Sequence, residues 1–113
     1  MSARPSPAGQ RIPYPRFRAA LDAGDLPFIR THRAAIGQVA LPDALRICLL
    51  IREQDPERFA RAAAVWVGRL AQEGRTVLPE HLRLALDAFD ELARDPNRAR
   101  ERLSDLCAEH GLR

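Results

Sequence analysis

Cys107 and His110 are the residues whose types and spacing come nearest to those of a metal-binding or catalytic site. Three residues apart in a helical pattern, they can place two metal ligands on one face, or a thiol beside its general base. A structural zinc site needs four ligands, and the other candidates are scattered along the chain: Cys48, His32 and His81. We therefore interpret Cys107 as a small buried side chain and His110 as a residue favoured near a helix C-terminus. We expect no metal and no cofactor.

Carboxylates and hydroxyls give no stronger catalytic pattern. Asp87, Asp90 and Glu91 lie close together on one predicted helix, where a desolvated pair could share acid and base work. They occupy its polar side, which is typical of a solvated surface. The serine and threonine side chains outside the N-terminal tail, none of them in a nucleophile elbow, are Thr31, Thr76 and Ser104. We expect a protein that is not an enzyme.

The basic residues exclude two further chemistries. All 18 of them are arginine, a bias typical of a GC-rich genome. Without lysine, the chain cannot supply the cation of a Walker-type phosphate loop or the Schiff base of a pyridoxal enzyme. Residues 1–33 carry six arginines and two aspartates, a net charge of +4, whereas residues 34–113 carry 12 arginines and 13 acids, a net charge of −1. Nucleic-acid binders more often show a basic stripe along a recognition element.

Prolines mark where the supporting elements begin. Each of six prolines heads a stretch with helical apolar spacing, the position in a helix that proline tolerates best. These stretches predict helices at about 15–23, 26–36, 42–54, 56–73, 79–94 and 96–110. Left-handed glycine caps are expected at Gly24, Gly37, Gly74 and Gly111. Because no strand-like alternation occurs, the predicted fold class is all-α, with six short helices.

Apolar spacing predicts which residues face inward. Residues 47–51 and 62–67 are apolar on every side, which favours burial on more than one face and places the third and fourth helices at the centre. Gly68 would then allow another helix to approach closely. The predicted structural anchors are Trp66, Phe59 and Phe89. Elsewhere the predicted inward residues are Phe17, Ala20, Leu21, Phe28, Ile29, Ala35, Ile36, Leu82, Ala85, Leu86, Leu92, Ala99, Leu103, Leu106 and Cys107.

Two segments of the chain resemble each other. LPDALRICLLI at 41–51 aligns with LPEHLRLALDA at 78–88, and the Asp-Pro steps that follow, at 55–56 and 95–96, align at a slightly longer shift. Each unit has the size of the helical hairpin in tetratricopeptide and HEAT arrays. Any two arginine-rich amphipathic hairpins that begin with Leu-Pro would also look alike. We therefore predict three antiparallel hairpins, arranged as a compact bundle or as a short TPR/HEAT-like α-solenoid.

The chain is predicted to hold a disordered proline-rich arm at 1–13 and a single helical domain at 14–113. The N-terminus lacks the apolar segment of a secretion signal, and no apolar run is long enough to span a bilayer. Two cysteines far apart in the sequence favour reduced thiols. These features predict a cytoplasmic protein that does not associate with a membrane.

Segment 17–70 resembles a family of small all-helical actinobacterial proteins whose function is unknown. The likeness consists of FRAALDAG at 17–24, ALRICLLI at 44–51 and DPERFARAAAVWVGR at 55–69. The residues of the last motif that match the family pattern are Asp55, Pro56, Arg58, Arg61, Ala62, Ala63, Trp66 and Arg69. These are signals of helix starts and of an anchoring tryptophan, so the resemblance implies a helical fold and brings no activity or ligand.

Two functions stay open. The first is a non-enzymatic helical protein–protein interaction or adaptor domain, whose arginines Arg58, Arg61 and Arg69 pair with acidic groups on a protein partner or on a second copy of the chain. The alternative is a small DNA-associated regulatory protein, in which a helix-turn-helix at 42–73 uses the same arginines together with the basic N-terminal arm. The turn lacks the customary glycine, and the fourth helix is expected to be too buried to enter a groove. We therefore favour a protein partner over nucleic acid.

Overall fold

A computed structural model describes residues 11–113, and all regular structure in that range is helical, as the all-α prediction requires. The chain divides into two compact units, the first ending at Val39 and the second spanning Ala40–Arg113. The predicted arm at 1–13 lies mostly outside the described residues, and the single domain at 14–113 stays a prediction. The α-helices are α1 (Tyr14–Ala23), α2 (Leu26–Thr31), α3 (Arg33–Ile36), α4 (Leu41–Gln54), α5 (Phe59–Glu73), α6 (Pro79–Glu91) and α7 (Pro96–Glu109).

The first unit contains a short helical hairpin. Gly24 adopts a left-handed φ of 69° and ends α1 as predicted, and the carboxylate of Asp25 then accepts the Phe28 N–H to cap α2. The Ile12 N–H donates to the Ala35 carbonyl over 2.9 Å, which joins the segment before α1 to the end of the unit. Phe17, Ala20 and Leu21 of α1 are buried as predicted.

The predicted helix at 26–36 is divided in two at His32. This residue has φ −104° and ψ 21°, outside the helical range, and its ring lies 4.2 Å from the Phe28 ring, between centroids. Its Nδ1 lies 3.0 Å from the Phe28 carbonyl oxygen, a local bond that competes with continuation of the helix. Of the predicted inward residues, Ile29 is buried, whereas Phe28, Ala35 and Ile36 are half-buried.

The second unit is a closed four-helix bundle formed by α4 to α7. Consecutive helices contact each other, and α4 also contacts α7, which closes the ring and excludes an open solenoid. The neighbours α4 and α5 are antiparallel, because Leu41 at the start of α4 contacts Trp66 while Cys48 further along contacts Ala62. The pairing of Phe89 with Phe59, and of His81 with His110, gives the same alternation for α5–α6 and α6–α7.

Helix ends in the bundle follow the sequence signals with two corrections. The predicted helix at 56–73 opens as a separate 3-10 turn, Pro56–Arg58, before α5 begins. Gly74 ends α5 in an extended conformation, φ −76° and ψ 154°, so the predicted left-handed cap is wrong there. Glycine is required for another reason, since a Cβ at this position would lie 2.8 Å from the Leu70 carbonyl oxygen and 2.6 Å from Val77. Gly111 at φ 77° does form the predicted left-handed cap after α7.

The core of the bundle is formed by side chains from one side of each helix. The expectation that α5 is buried on more than one face is wrong, since Ala64 and Val65 of its apolar middle are exposed. Leu86 also points outward, and Leu82 is only half-buried. The buried core residues are Leu41, Leu45, Cys48, Ala63, Trp66, Val67, Leu70, Ala85, Ala88, Phe89, Leu92, Ala99, Leu103, Leu106 and Cys107.

Candidate functional site

The outward side of α5 is the main candidate surface. We call it the α5 outer face and define it by seven exposed residues: Ala60, Arg61, Ala64, Val65, Gly68, Ala71 and Gln72. Helical periodicity places them on one side of α5, centred on Gly68. A Cβ added at Gly68 would meet nothing within 4 Å, so the predicted close approach of another helix does not occur in the described part of the chain.

Apolar area is exposed on and beside this face. Val65 is 57% exposed, the largest fraction among the exposed large apolar side chains of the described residues. Leu86 is 49% exposed and lies one turn before Phe89, the α6 residue that packs against α5. Its position therefore brings apolar surface to the α5 side of α6. A backbone that carries only small side chains can be approached closely by a partner helix.

The three predicted partner-binding arginines differ in their surroundings. Arg58 lies in the 3-10 turn, and its Nε is 3.3 Å from an Asp55 carboxylate oxygen, with the arginine side chain 76% exposed. Arg61 is exposed one turn further on. Arg69 donates two hydrogen bonds to the Glu73 carboxylate, over 2.7 and 3.1 Å. Arg61 thus belongs to the α5 outer face and Arg58 lies just before it in the chain, whereas Arg69 is engaged within its own helix.

The predicted anchors form one aromatic cluster. Trp66 is 1% exposed, and its ring centroid lies 5.5 Å from that of Phe89, which in turn lies 5.9 Å from Phe59. The Trp66 Nε1–H donates to the Leu41 carbonyl oxygen over 2.9 Å, so the indole satisfies its one polar group inside the core. This cluster fixes the inward side of α5 and therefore the direction of its outer face.

Cys107 and His110 are both buried. Among the described residues, no group of three or more histidine, cysteine or acidic side chains is placed to hold a metal ion. Burial raises the pKa of the Cys107 thiol to about 11. Burial likewise raises the pKa of Cys48 to about 11, against the opposing effect of Arg69. Neither thiol is therefore a ready nucleophile at neutral pH.

The acidic and hydroxyl candidates lie on several helices and in a loop. Asp87 and Asp90 are exposed on α6 as predicted. Glu91 differs, because it is half-buried and its Oε1 has no hydrogen-bond partner among the described residues. Ser104 and Thr31 are exposed on separate helices, and Thr76 lies in the α5–α6 loop.

Sequence reasoning missed two arrangements. The α5 outer face was not predicted, because the apolar middle of the helix favoured burial on more than one face, although Gly68 inside a helix was a signal of something unusual. The second is a contact between His81 and His110, whose ring centroids lie 4.4 Å apart. No sequence spacing joins these two residues, since only the folding of α6 against α7 brings them together.

Comparisons with known proteins found no relative of this chain. No protein family, curated protein or solved structure matches the chain significantly. The resemblance to small actinobacterial helical proteins stays a prediction. Within residues 11–113, no helix combines the length and apolar character that crossing a membrane requires.

Proposed function

We propose that this chain is a non-enzymatic protein-interaction module, and that its α5 outer face binds an amphipathic helix of a partner protein. The observation that carries the proposal is the exposed small-residue surface around Gly68, next to Val65. A helix interior ordinarily disfavours glycine by about 1 kcal/mol relative to alanine. A partner that uses the open space would offset this loss.

Charge supports one kind of partner. From Arg58 to Gln72 the chain contains three arginines and no acidic residue. Two of them, Arg58 and Arg61, are exposed at the N-terminal end of the α5 outer face. An apolar helix flanked by glutamate or aspartate would complement this pattern, and pairing of opposite charges mainly contributes specificity and association rate. We therefore propose an acidic amphipathic helix as the occupant.

DNA association is the second candidate. Exposure of the α5 outer face removes the objection that this helix is too buried to enter a groove. The face itself offers mainly Ala, Val and Gly, however, and base edges are read by hydrogen-bonding side chains. Its composition thus supports a protein partner better than a DNA groove.

Two synthetic helical peptides test the proposal. They share one leucine and alanine face, and one is flanked by glutamates while the other is flanked by lysines. We expect the full chain to bind the glutamate peptide at least about tenfold more tightly in isothermal titration calorimetry. Ala64→Glu should weaken this binding by about tenfold, because it places a carboxylate on the docking surface. The matched control is Ser104→Glu, on exposed α7 surface, and should leave binding unchanged.

Three outcomes would overturn the proposal. Equal binding of the two peptides would remove the charge argument, and absence of binding would remove the helix partner. A concentration-dependent dimer in sedimentation, lost in Ala64→Glu, would assign the surface to a second copy of the chain instead. Binding of duplex DNA that falls steeply with salt and is lost in Arg58→Ala and Arg61→Ala would favour the alternative function.

A further inference from the structure

Two histidines hold the loop between α5 and α6 at one end of the bundle. This loop, residues 74–78, is followed directly by α6, which carries His81, and it contacts the end of α7, which is followed by His110. The ring centroids of His81 and His110 are 4.4 Å apart and their planes are inclined by 62°. Each ring makes its own hydrogen bond to the loop backbone.

His110 is bonded to Arg75 in both directions. The His110 Nδ1 lies 2.7 Å from the Arg75 carbonyl oxygen and donates to it, while the Arg75 N–H donates to the His110 carbonyl over 2.9 Å. The residue is 6% exposed, and its Nε2 is buried with no hydrogen-bond partner in the described part of the chain. A proton added at Nε2 would be a buried, unpaired charge.

His81 completes the N-terminus of α6. Its Nδ1 accepts the Leu78 N–H over 2.9 Å, the role that glutamate or glutamine plays at this position in a capping box. A ring nitrogen accepts a hydrogen bond only while it carries no proton. The structure therefore contains His81 as the neutral ring, with its proton on Nε2. Protonation of Nδ1 would break this bond and place a positive charge at a helix N-terminus, where it is disfavoured.

The loop lies close to the end of α7 at Gly74 and Gly111, and it contains one residue in an uncommon conformation. Thr76 has a φ of 53°, in the left-handed region that residues other than glycine rarely adopt. A Cβ at Gly74 would lie 3.2 Å from the His110 Cβ, and one at Gly111 would lie 2.8 Å from the Arg75 guanidinium. Such a conformation persists only while surrounding contacts enforce it, and the two imidazole bonds are among those contacts.

We propose that His81 and His110 form a proton-sensitive latch that keeps loop 74–78 closed against α7 when both rings are neutral and releases it when they are protonated. Imidazole is the side chain whose charge ordinarily changes between about pH 5 and pH 8. The charged groups close in sequence to the two histidines and the loop are Arg75 in the loop, Glu73 on α5, Glu80 and Arg83 on α6, and Glu109 and Arg113 around the end of α7; the thiol close in sequence is Cys107. This inference does not depend on the proposed docking surface.

Hydrogen exchange of individual amides in the full chain tests the latch. We expect the protection of the Leu78 and Arg75 amides, relative to their intrinsic exchange rates, to fall by about tenfold between about pH 7.5 and pH 5. His81→Gln keeps an acceptor for the Leu78 N–H at every pH, so the fall at Leu78 should disappear. His32→Gln is the matched control, because His32 lies in the other unit, and it should behave like the unaltered chain.

Nitrogen chemical shifts of the rings give a second measurement that needs no variant. At about pH 7.5, His81 should show an unprotonated Nδ1 and a protonated Nε2. The opposite tautomer would overturn the proposal. So would a protection of Leu78 that does not depend on pH, or a fall of the same size in His81→Gln, since either result would show that protonation of His81 does not open the loop.

Discussion

The bundle contains two helical hairpins, α4–α5 and α6–α7. The pattern of buried positions is similar in their second helices and differs in their first helices. At a shift of 40 residues, the buried residues of α5 coincide with buried positions at the end of the second hairpin: Ala63 with Leu103, Trp66 with Leu106, Val67 with Cys107, and Leu70 with His110. At the shift of 37 the first helices coincide at Cys48 and Ala85, which are both buried, but they differ towards their N-terminal ends. Leu41 is 1% exposed whereas its counterpart Leu78 is 45% exposed, and Leu45 is buried whereas Leu82 is half-buried. Similar sequences thus bury opposite ends of α4 and α6.

The aromatic cluster accounts for the difference. Trp66 donates to the Leu41 carbonyl and covers the beginning of α4, while Phe89 near the end of α6 packs against the same indole. The burial of α4 is therefore concentrated in its first half, and that of α6 in its second. Apolar spacing defines a face, whereas the position of a large neighbouring side chain decides which part of the face is buried.

Removal of Trp66 should produce the largest effect. Trp66→Ala deletes the side chain shared by both first helices, and we expect the free energy of unfolding to fall by about 3–5 kcal/mol. The measurement is urea unfolding followed by far-ultraviolet circular dichroism. Leu106→Ala, at the matching position of α7, should destabilise less, because leucine has no polar group to bond and a smaller side chain to lose. A larger loss in Leu106→Ala would contradict the central role of the indole.

Substitution of the paired leucines sharpens the comparison of the first helices. Leu41→Ala should lower the free energy of unfolding by about 2–5 kcal/mol, because it opens a cavity in the core. Leu78→Ala removes an exposed side chain and should change it by less than about 0.5 kcal/mol. The same urea titration measures both. Equal losses would mean that α4 and α6 are equivalent after all.

Substitution of the aspartates in the two Asp-Pro steps should change the free energy of unfolding by a smaller amount. The Asp95 carboxylate accepts the Arg98 N–H over 3.2 Å and caps α7, whereas Asp55 makes no such cap and contacts the Arg58 side chain. Asp95→Ala should therefore lower the free energy of unfolding by about 1 kcal/mol. Asp55→Ala, which removes a contact to a well-solvated arginine, should lower it by less than about 1 kcal/mol. A reversed order in thermal unfolding would contradict this assignment.

The smallest difference is expected between the modification rates of the two cysteines, Cys48 and Cys107. Burial raises the pKa of both Cys48 and Cys107 to about 11, from a usual value of 9.0. Because the thiolate is the reactive form, iodoacetamide at about pH 8 should modify both thiols far more slowly in the native than in the denatured chain. Mass spectrometry of the peptides measures the rates. Rapid native labelling of one thiol alone would show that its helix opens locally. Raised pKa values also mean that these thiols favour unfolding as the pH rises from about 9 towards 11.

Most of the fold could be predicted from local signals. Proline in a first helical turn and glycine after a last one depend only on backbone geometry, so the starts at Pro79 and Pro96 and the stops at Gly24 and Gly111 follow from the sequence. The division at His32 could not be predicted, because it arises from the bond between its ring and the Phe28 carbonyl. Closure of the bundle depends on the contact between α4 and α7, which no local pattern encodes.

The candidate surface was only partly predictable. Arg58 and Arg61 were identified from charge alone, and both are exposed. The apolar part of the α5 outer face was not, because Val65 and Ala64 have the composition of core residues. Whether such residues are buried depends on how many neighbours a helix acquires, and α5 acquires neighbours on one side. The histidine pair was invisible for a related reason, since its members come from different parts of the bundle.

Contact between α4 and α7 also means that the same arrangement of helices in space could be formed by a chain in which the helices follow one another in a different order. In an alternating bundle, the first helix starts and the last helix ends at the same end of the ring. For the bundle alone, a short linker could therefore join residue 113 to residue 40, and new termini could be opened between α6 and α7, with the contacts among α4 to α7 retained. Opening the chain in loop 74–78 instead would cut the segment whose backbone is hydrogen-bonded to His81 and His110. A new terminus before α6 would therefore remove contacts that a new terminus after α6 leaves in place.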